Sequence, residues 1–397
     1  MRSQERLAVP NPEANKYVHN PSLVIVHNAL EVGDDDEETI GFEVRNAINV
    51  NKNIASCEVR QAYVVDDEKM TLSINRTFNK QYTLDRQADA IFRGGIMNQG
   101  TYRKFYDECL NNGLKLINSP EQSEFVQSFD SYYPYIKPFT FESVVIKPDF
   151  DVVDIVAHPE KRKKLQVMMG AVMSDKKWAN TFVRFDNMSL KNEARFQDRF
   201  QNDESSADNQ LGFVDNIAAN VISTADDINS YINLIMSGLN YGHKYRFHFP
   251  LVLREYKKPK YIQGTTRLDN TLRRVENEYR AFVYKGEVVD TASYSIKSMK
   301  FEDDVIQLIN KGIEKARNIS QQTAINVAKA PNAPDFYSLD VLELSDGTFK
   351  VVEINEGQNS GIYSSYLDKF YRRFGKDINP VTKSALSKTA LSHGVLI

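Results

Sequence analysis

Apolar residues recur along this chain in short runs set between polar turns, and the period of each run predicts its element. Leu23–His27, Cys57–Val65, Ala88–Arg93 and Leu114–Ile117 are compact apolar stretches of strand length. The acidic run Glu31–Glu38 suits the start of a helix over 39–49, and Tyr102–Asn111 has helical spacing and stops at Gly113. Strand, helix, strand in this rhythm predicts a parallel sheet, whose ligands bind beyond the C-terminal strand ends, where Arg93 and the Gly94-Gly95 pair fall. Arg93 is read either as an arginine gripping a carboxylate or phosphate there or as a solvated strand end.

The pattern then changes. Residues 118–143 are rich in Ser, Pro and Tyr and read as a connecting segment. Val144–Ile146 is a brief strand ending at Lys147, and His158–Met169 a basic helix. Trp178–Phe185 is a strand, followed by a polar turn with Ser189 and Lys191; residues 197–210 form a long loop, and Asp226–Leu239 an amphipathic helix. Phe249–Tyr256 is a strand, Lys257–Arg274 a basic loop, and Glu276–Tyr284 pairs with Glu287–Tyr294 over Lys285-Gly286. Glu278 and Arg280 share one face of that hairpin by period two. Residues 301–318 and 321–328 read as helices.

A second hairpin follows, with strands around Leu339–Leu344 and Phe349–Ile354 and a two-residue turn at Asp346-Gly347. A turn centred there sets Asp340 opposite Glu353, and Asn355, two residues on, projects from the same face. Two carboxylates and an amide are hard oxygen donors of the kind Mg2+ takes beside nucleotide phosphates. The plainer reading is an edge hairpin with its polar residues in water. On either reading the donors are expected at the surface, so that Asp340→Asn and Glu353→Gln leave the fold intact.

Composition narrows the class. The 397 residues are 41% hydrophobic and 11% aromatic, enough for more than one core. No apolar run reaches the roughly 20 residues of a membrane span, and the first residues lack a signal peptide's apolar centre, so the chain is expected in the cytoplasm. Two cysteines make no disulfide framework and no zinc spacing. A net charge of -3 gives no general attraction for nucleic acid, although Lys161–Lys164 and Lys257–Arg274 are locally basic.

Taken in order, LVLREY (251–256), ENEYRAFVYKGEVVDTASY, FYSLDVLELSDGTFKVVEIN and the closing NSG resemble the ATP-grasp superfamily, over about residues 178–365. The similarity is greatest to the small ATP-grasp proteins of bacteriophage genomes. The resemblance implies an α/β (α+β) ATP-grasp fold behind a Rossmann-like domain. The boundaries expected are a leader to 20, the Rossmann-like domain to 120, a connector and insertion to 177, ATP-grasp subdomains over 178–250 and 251–375, and a tail to 397. It further implies a ligase that uses ATP and Mg2+, forms ADP, and activates a small-molecule or peptide carboxylate as an acyl phosphate for capture by a nucleophilic acceptor.

The resemblance also implies roles. Glu255 would read the adenine edge, and Arg184, Ser189 and Lys191 would hold phosphates, with Arg184 where the family usually has lysine. Glu278 and Arg280 form the E-x-R pair, Arg280 neutralising the transferring phosphoryl group, and Asp340, Glu353 and Asn355 would hold magnesium. Lys147 is the other candidate for the first phosphate-binding cation. Because Lys147-Pro148-Asp149-Phe150 lies near the K-x-D-G of nucleotidyltransferases, it also supports an adenylating alternative. A nucleic-acid acceptor is the second choice of substrate.

Overall fold

The computed structural model describes residues 22–28, 58–66, 71–74, 88–93, 97, 99–185, 220–240, 249–267, 270–295, 299–360 and 373. The leader, the helix over 39–49, the loop 197–210, the tail, Ser189 and Lys191 lie outside them. The chain divides into two units, one of residues 1–95, 104–116 and 367–397, the other of 96–103 and 117–366.

The first unit holds β1 (Ser22–Asn28), β2 (Glu58–Asp66), β3 (Thr71–Ile74), β4 (Ala88–Arg93) and β5 (Leu114–Leu116), in the order β3-β2-β1-β4-β5. β2, β1, β4 and β5 run parallel, as the alternating rhythm predicts, and β3 folds back antiparallel on β2. α1 (Gln99–Asn111) precedes β5, with Phe105 packed edge-on against Phe92 of β4.

The second unit begins where a connecting segment was expected. Residues 118–143 instead carry two helices, α2 (Pro120–Gln127) and α3 (Phe129–Ile136). Ser119 closes a reciprocal capping box with Gln122, Pro120 occupies the first turn where its missing N–H costs nothing, and Phe125, Phe129, Tyr132 and Ile136 are buried at helical spacing. Next come β6 (Ser143–Ile146), α4 (Asp154–Ala157), α5 (Pro159–Lys176), β7 (Thr181–Phe185), β8 (Val221–Ile222), α6 (Ala225–Asn240) and β9 (Leu251–Glu255). These strands form a sheet ordered β6-β9-β7-β8, and Leu165, Tyr231, Ile232 and Ile235 of α5 and α6 cover one of its faces.

The expected basic loop is a hairpin, β10 (Tyr261–Thr266) with β11 (Leu272–Glu276), completed by β14 (Met299–Lys300). Alternation was hidden there because β11 is a half-exposed strand carrying Arg273 and Arg274. β12 (Glu278–Tyr284), β13 (Glu287–Ser293), β15 (Phe336–Glu343) and β16 (Phe349–Glu356) form an antiparallel sheet ordered β13-β12-β15-β16. The β12–β13 turn is Lys285-Gly286 as expected, both with positive φ.

α7 (Asp303–Val327) is one helix and not two, since Ile319 and Ser320 pack into the core without breaking its period. It covers the sheet face formed by Tyr279, Ala281, Val283, Leu339 and Val341. The approach is close: a Cβ on Gly312 would lie 1.7 Å from the Tyr279 hydroxyl. By period two the other face receives Glu278, Arg280 and Asp340. Among the described residues no helix is long and apolar enough to cross a membrane.

Candidate active site

Asp340 does face Glu353 in the β15–β16 register, but by a different route from the expected one. The turn is a three-residue loop, Ser345–Gly347, closed by Gly347 N–H donating to Leu344 O and Leu344 N–H to Thr348 O. Gly347 takes φ 81°, the left-handed position this loop requires. Such a loop alone would place Val352 opposite Asp340. The ladder instead bulges: Asp340 pairs with Glu353, Val341 with Val351, and Val352 is the extra residue.

One row now runs across three strands. Arg280 pairs with Asp340, and Asp340 with Glu353. Arg280 donates from Nε and Nη2 to the two Asp340 oxygens, both at 2.8 Å, and its guanidinium lies 4.8 Å from the Tyr294 ring centre. Arg184, reaching from β7 of the other sheet, donates to Glu353 Oε2. Asn355 Nδ2 lies 3.0 Å from both Asp340 Oδ2 and Glu353 Oε1. Burial pushes the Glu353 carboxyl up, but the Arg184 charge, the hydrogen bonds from Asn355 and Arg184 and the Arg280 charge outweigh it and hold it well below the usual range.

Two members of this row are buried where the hairpin was expected at the surface, while Glu353 and Asn355 are partly exposed. Asp340 is 3% and Arg280 8% exposed. The reason is that β15 is an interior strand, flanked on both sides and buried along its whole length.

Beside the row lies a cleft half open to solvent. Phe141, Phe182, Leu342 and Val352 give it apolar walls, and Glu255, Lys257, Glu276 and Glu278 are charged groups around it. Apolar walls with convergent polar groups suit a planar heterocycle with a charged tail. Glu255 pairs with Lys257 at 2.5 Å, and the amides of Glu255 and Tyr256 donate to Glu142 and Asn180. The structure thus brings together Arg184, Glu255, Glu278, Arg280, Asp340, Glu353 and Asn355. Arg93 ends β4 of the first unit and is buried. Lys147 is mostly exposed, pairs with Asp130 and does not line the cleft.

Sequence reasoning missed Arg254. It lines the cleft, is 3% exposed, and donates from Nη1 to Val352 O at 2.6 Å and from Nε to Ser143 Oγ at 3.3 Å. Its Nη2 has no hydrogen-bond partner among the described residues. Burial and the neighbouring Arg184 charge push its guanidinium down to about 10, so it stays charged at neutral pH. The local sequence carried no signal beyond an arginine inside an apolar strand.

Among the described residues no group of three His, Cys, Asp or Glu side chains is placed to hold a metal. A metal here would have two carboxylates and an amide. Asp340 and Glu353 are both within reach of Asn355, and exchange of its amide oxygen and nitrogen by a half-turn turns a third hard oxygen to the same corner. That donor set fits Mg2+, which leaves its other positions to phosphate and water.

Residues 200–374 match the family model described as ATP-grasp domain, R2K clade family 3. No curated protein matches the chain. Among solved structures, D-cycloserine synthetase DcsG is similar at 10% identity and TM-score 0.49, over 90% of this chain and all of that one. D-alanyl-alanine synthetase A from Vibrio cholerae O1 biovar eltor str. N16961 is similar at 12% identity and TM-score 0.46, over 90% of this chain and 97% of that one. ATP-grasp ligase PsnB, in complex with precursor peptide PsnA2 and AMPPNP, is similar at 9% identity and TM-score 0.41, over 90% and 96%. The fold is the ATP-grasp fold, with mixed helices and sheets, and residues 200–374 are similar to R2K clade family 3.

Proposed function

We propose that the protein is an ATP- and magnesium-dependent ligase that activates a carboxylate as an acyl phosphate and passes the acyl group to a nucleophile, giving ADP and phosphate. The observation that carries this reading is the Arg280–Asp340–Glu353 row with Arg184 and Asn355, set beside an apolar-walled cleft. Phosphoryl transfer asks a protein chiefly for positioning and positive charge. Arg184 and Arg280 supply the charge; both lie against carboxylates in the ligand-free chain, and phosphate oxygens offer them an alternative partner.

In this reading the cleft takes the base, with Glu255 and Glu278 at its edge. Ser189 and Lys191 join Arg184 on the phosphates. Asp340, Glu353 and Asn355 would hold Mg2+, which would neutralise phosphate charge. A substrate carboxylate oxygen attacks the γ-phosphorus and ADP leaves; the nucleophile then attacks the acyl carbon, and phosphate leaves. Arg93, at the C-terminal end of a parallel strand, is proposed to grip the carboxylate or acceptor. The substrate we favour is a metabolite or peptide carboxylate, with an amine or another nucleophile as acceptor.

Nucleic acid is less favoured, because Lys161 and Lys164 are engaged with Asp154 and Asp149. Separation of nucleotide products after incubation with ATP, Mg2+ and a panel of amino acids tests the reading: ADP and phosphate support it. AMP and pyrophosphate, or an adenylate on Lys147, would sink it.

A further inference from the structure

Val352 sets a problem that the sequence alone does not solve. With a three-residue loop at 345–347, the β15–β16 ladder has two ways to accommodate it. The strand can run on without interruption, pairing Asp340 with Val352, which turns Glu353 and Asn355 to the face covered by α7. Or it can bulge at Val352 and keep both on the Arg280 face, because a slip of one residue exchanges the two faces of a strand. The chain bulges. A bulge leaves its extra residue outside the ladder, so the peptide there needs a partner from elsewhere.

That partner is Arg254, whose Nη1 lies 2.6 Å from Val352 O. The guanidinium is held in place by other contacts. Nε donates to Ser143 Oγ, and the Phe129 and Phe141 ring centres lie 5.3 and 5.6 Å from Cζ. Its rotamer is therefore set by α3, β6 and the segment between them and not by the hairpin it contacts. An arginine fixed in one sheet thus reads the backbone of the other at the residue next to Glu353.

We infer that Arg254 is a positioning residue that selects the bulged register of β16, and through it holds Glu353 opposite Asp340, with Asn355 on the same face beside them, as a metal site. The inference rests on the magnesium reading above. It makes Arg254, which also lines the cleft, act on metal affinity through the register of β16.

The test is a Mn2+ titration by electron paramagnetic resonance at saturating AMPPNP, with AMPPNP affinity measured separately in excess Mg2+. Arg254→Met is expected to weaken Mn2+ binding about tenfold or more, the size typical of groups that orient metal ligands; the AMPPNP measurement accounts for whatever part of the effect comes from the place of Arg254 in the cleft lining. Arg254→Lys, which keeps one donor, should recover part of the loss and carries the test if Arg254→Met fails to fold. The decisive comparison deletes Val352, after which a regular ladder pairs Asp340 with Glu353 without any bulge. In that background Arg254→Met should add little. Unchanged Mn2+ affinity in Arg254→Met, or an equal loss with and without Val352, would each overturn the inference alone. Absence of Mn2+ binding by the unmodified protein would overturn the magnesium reading and this inference with it.

Discussion

Arg280 and Asp340 face each other across β12 and β15 and join through two parallel hydrogen bonds of 2.8 Å, both side chains almost fully buried. Removing one partner of a buried ion pair strands the other charge, at a cost of about 3–5 kcal/mol. Asp340→Asn is therefore expected to abolish turnover and also to lower unfolding free energy on the order of 3 kcal/mol in urea titration. This departs from the expectation of a purely chemical effect. Wild-type stability in that variant would show the pair to be unimportant to the fold.

Glu353 gives a prediction with a pH signature. Its carboxyl titrates well below the ordinary 4.5, so its ionisation adds stability that is complete above that value and is lost as pH falls through the folded pKa. The gap in melting temperature between wild type and Glu353→Gln should be widest near neutrality and narrow below pH 4.5. A gap that stays constant down to the most acid solution in which the wild type still melts cooperatively would mean that Arg184 does not hold this carboxylate.

Gly312→Ala should destabilise without touching the chemistry. The added Cβ would meet the Tyr279 hydroxyl at 1.7 Å, and overpacking of a tight core costs about 1–3 kcal/mol. Thermal melts would show the loss, while the Mg2+ dependence of turnover in the folded fraction stays that of the wild type.

Lys147→Ala separates the two nucleotide chemistries. Lys147 is 65% exposed at its side chain and engaged by Asp130, so the variant should keep wild-type ATP turnover. Complete loss would revive the adenylating alternative.

How far the sequence could be read varies from residue to residue. The β12–β13 hairpin was legible because Lys285-Gly286 suits a turn with two positive φ values and the flanking residues alternate. The Asp340–Glu353 pairing was also legible, but through two errors that cancel: the loop has one residue more than expected, and the Val352 bulge moves the register back by one. α2 and α3 were hidden by a composition typical of linkers, although Ser119-Pro120 with Gln122 is a helix-start signature and Phe125, Phe129, Tyr132 and Ile136 have helical spacing. The Arg184–Glu353 pair and the Arg254–Val352 contact join residues 169 and 98 positions apart. No local pattern encodes which strand of one sheet meets which strand of another.

The Arg184–Glu353 and Arg280–Asp340 pairs have a bearing on the order in which ligands arrive. A carboxylate already matched by a guanidinium has little attraction left for a bare divalent cation, because binding it would strand a buried arginine. On the proposed magnesium reading, an incoming triphosphate would change the balance, since it would supply anionic oxygens to the arginines as it delivered the cation. Such a row would ignore free magnesium and respond to magnesium carried by a nucleotide.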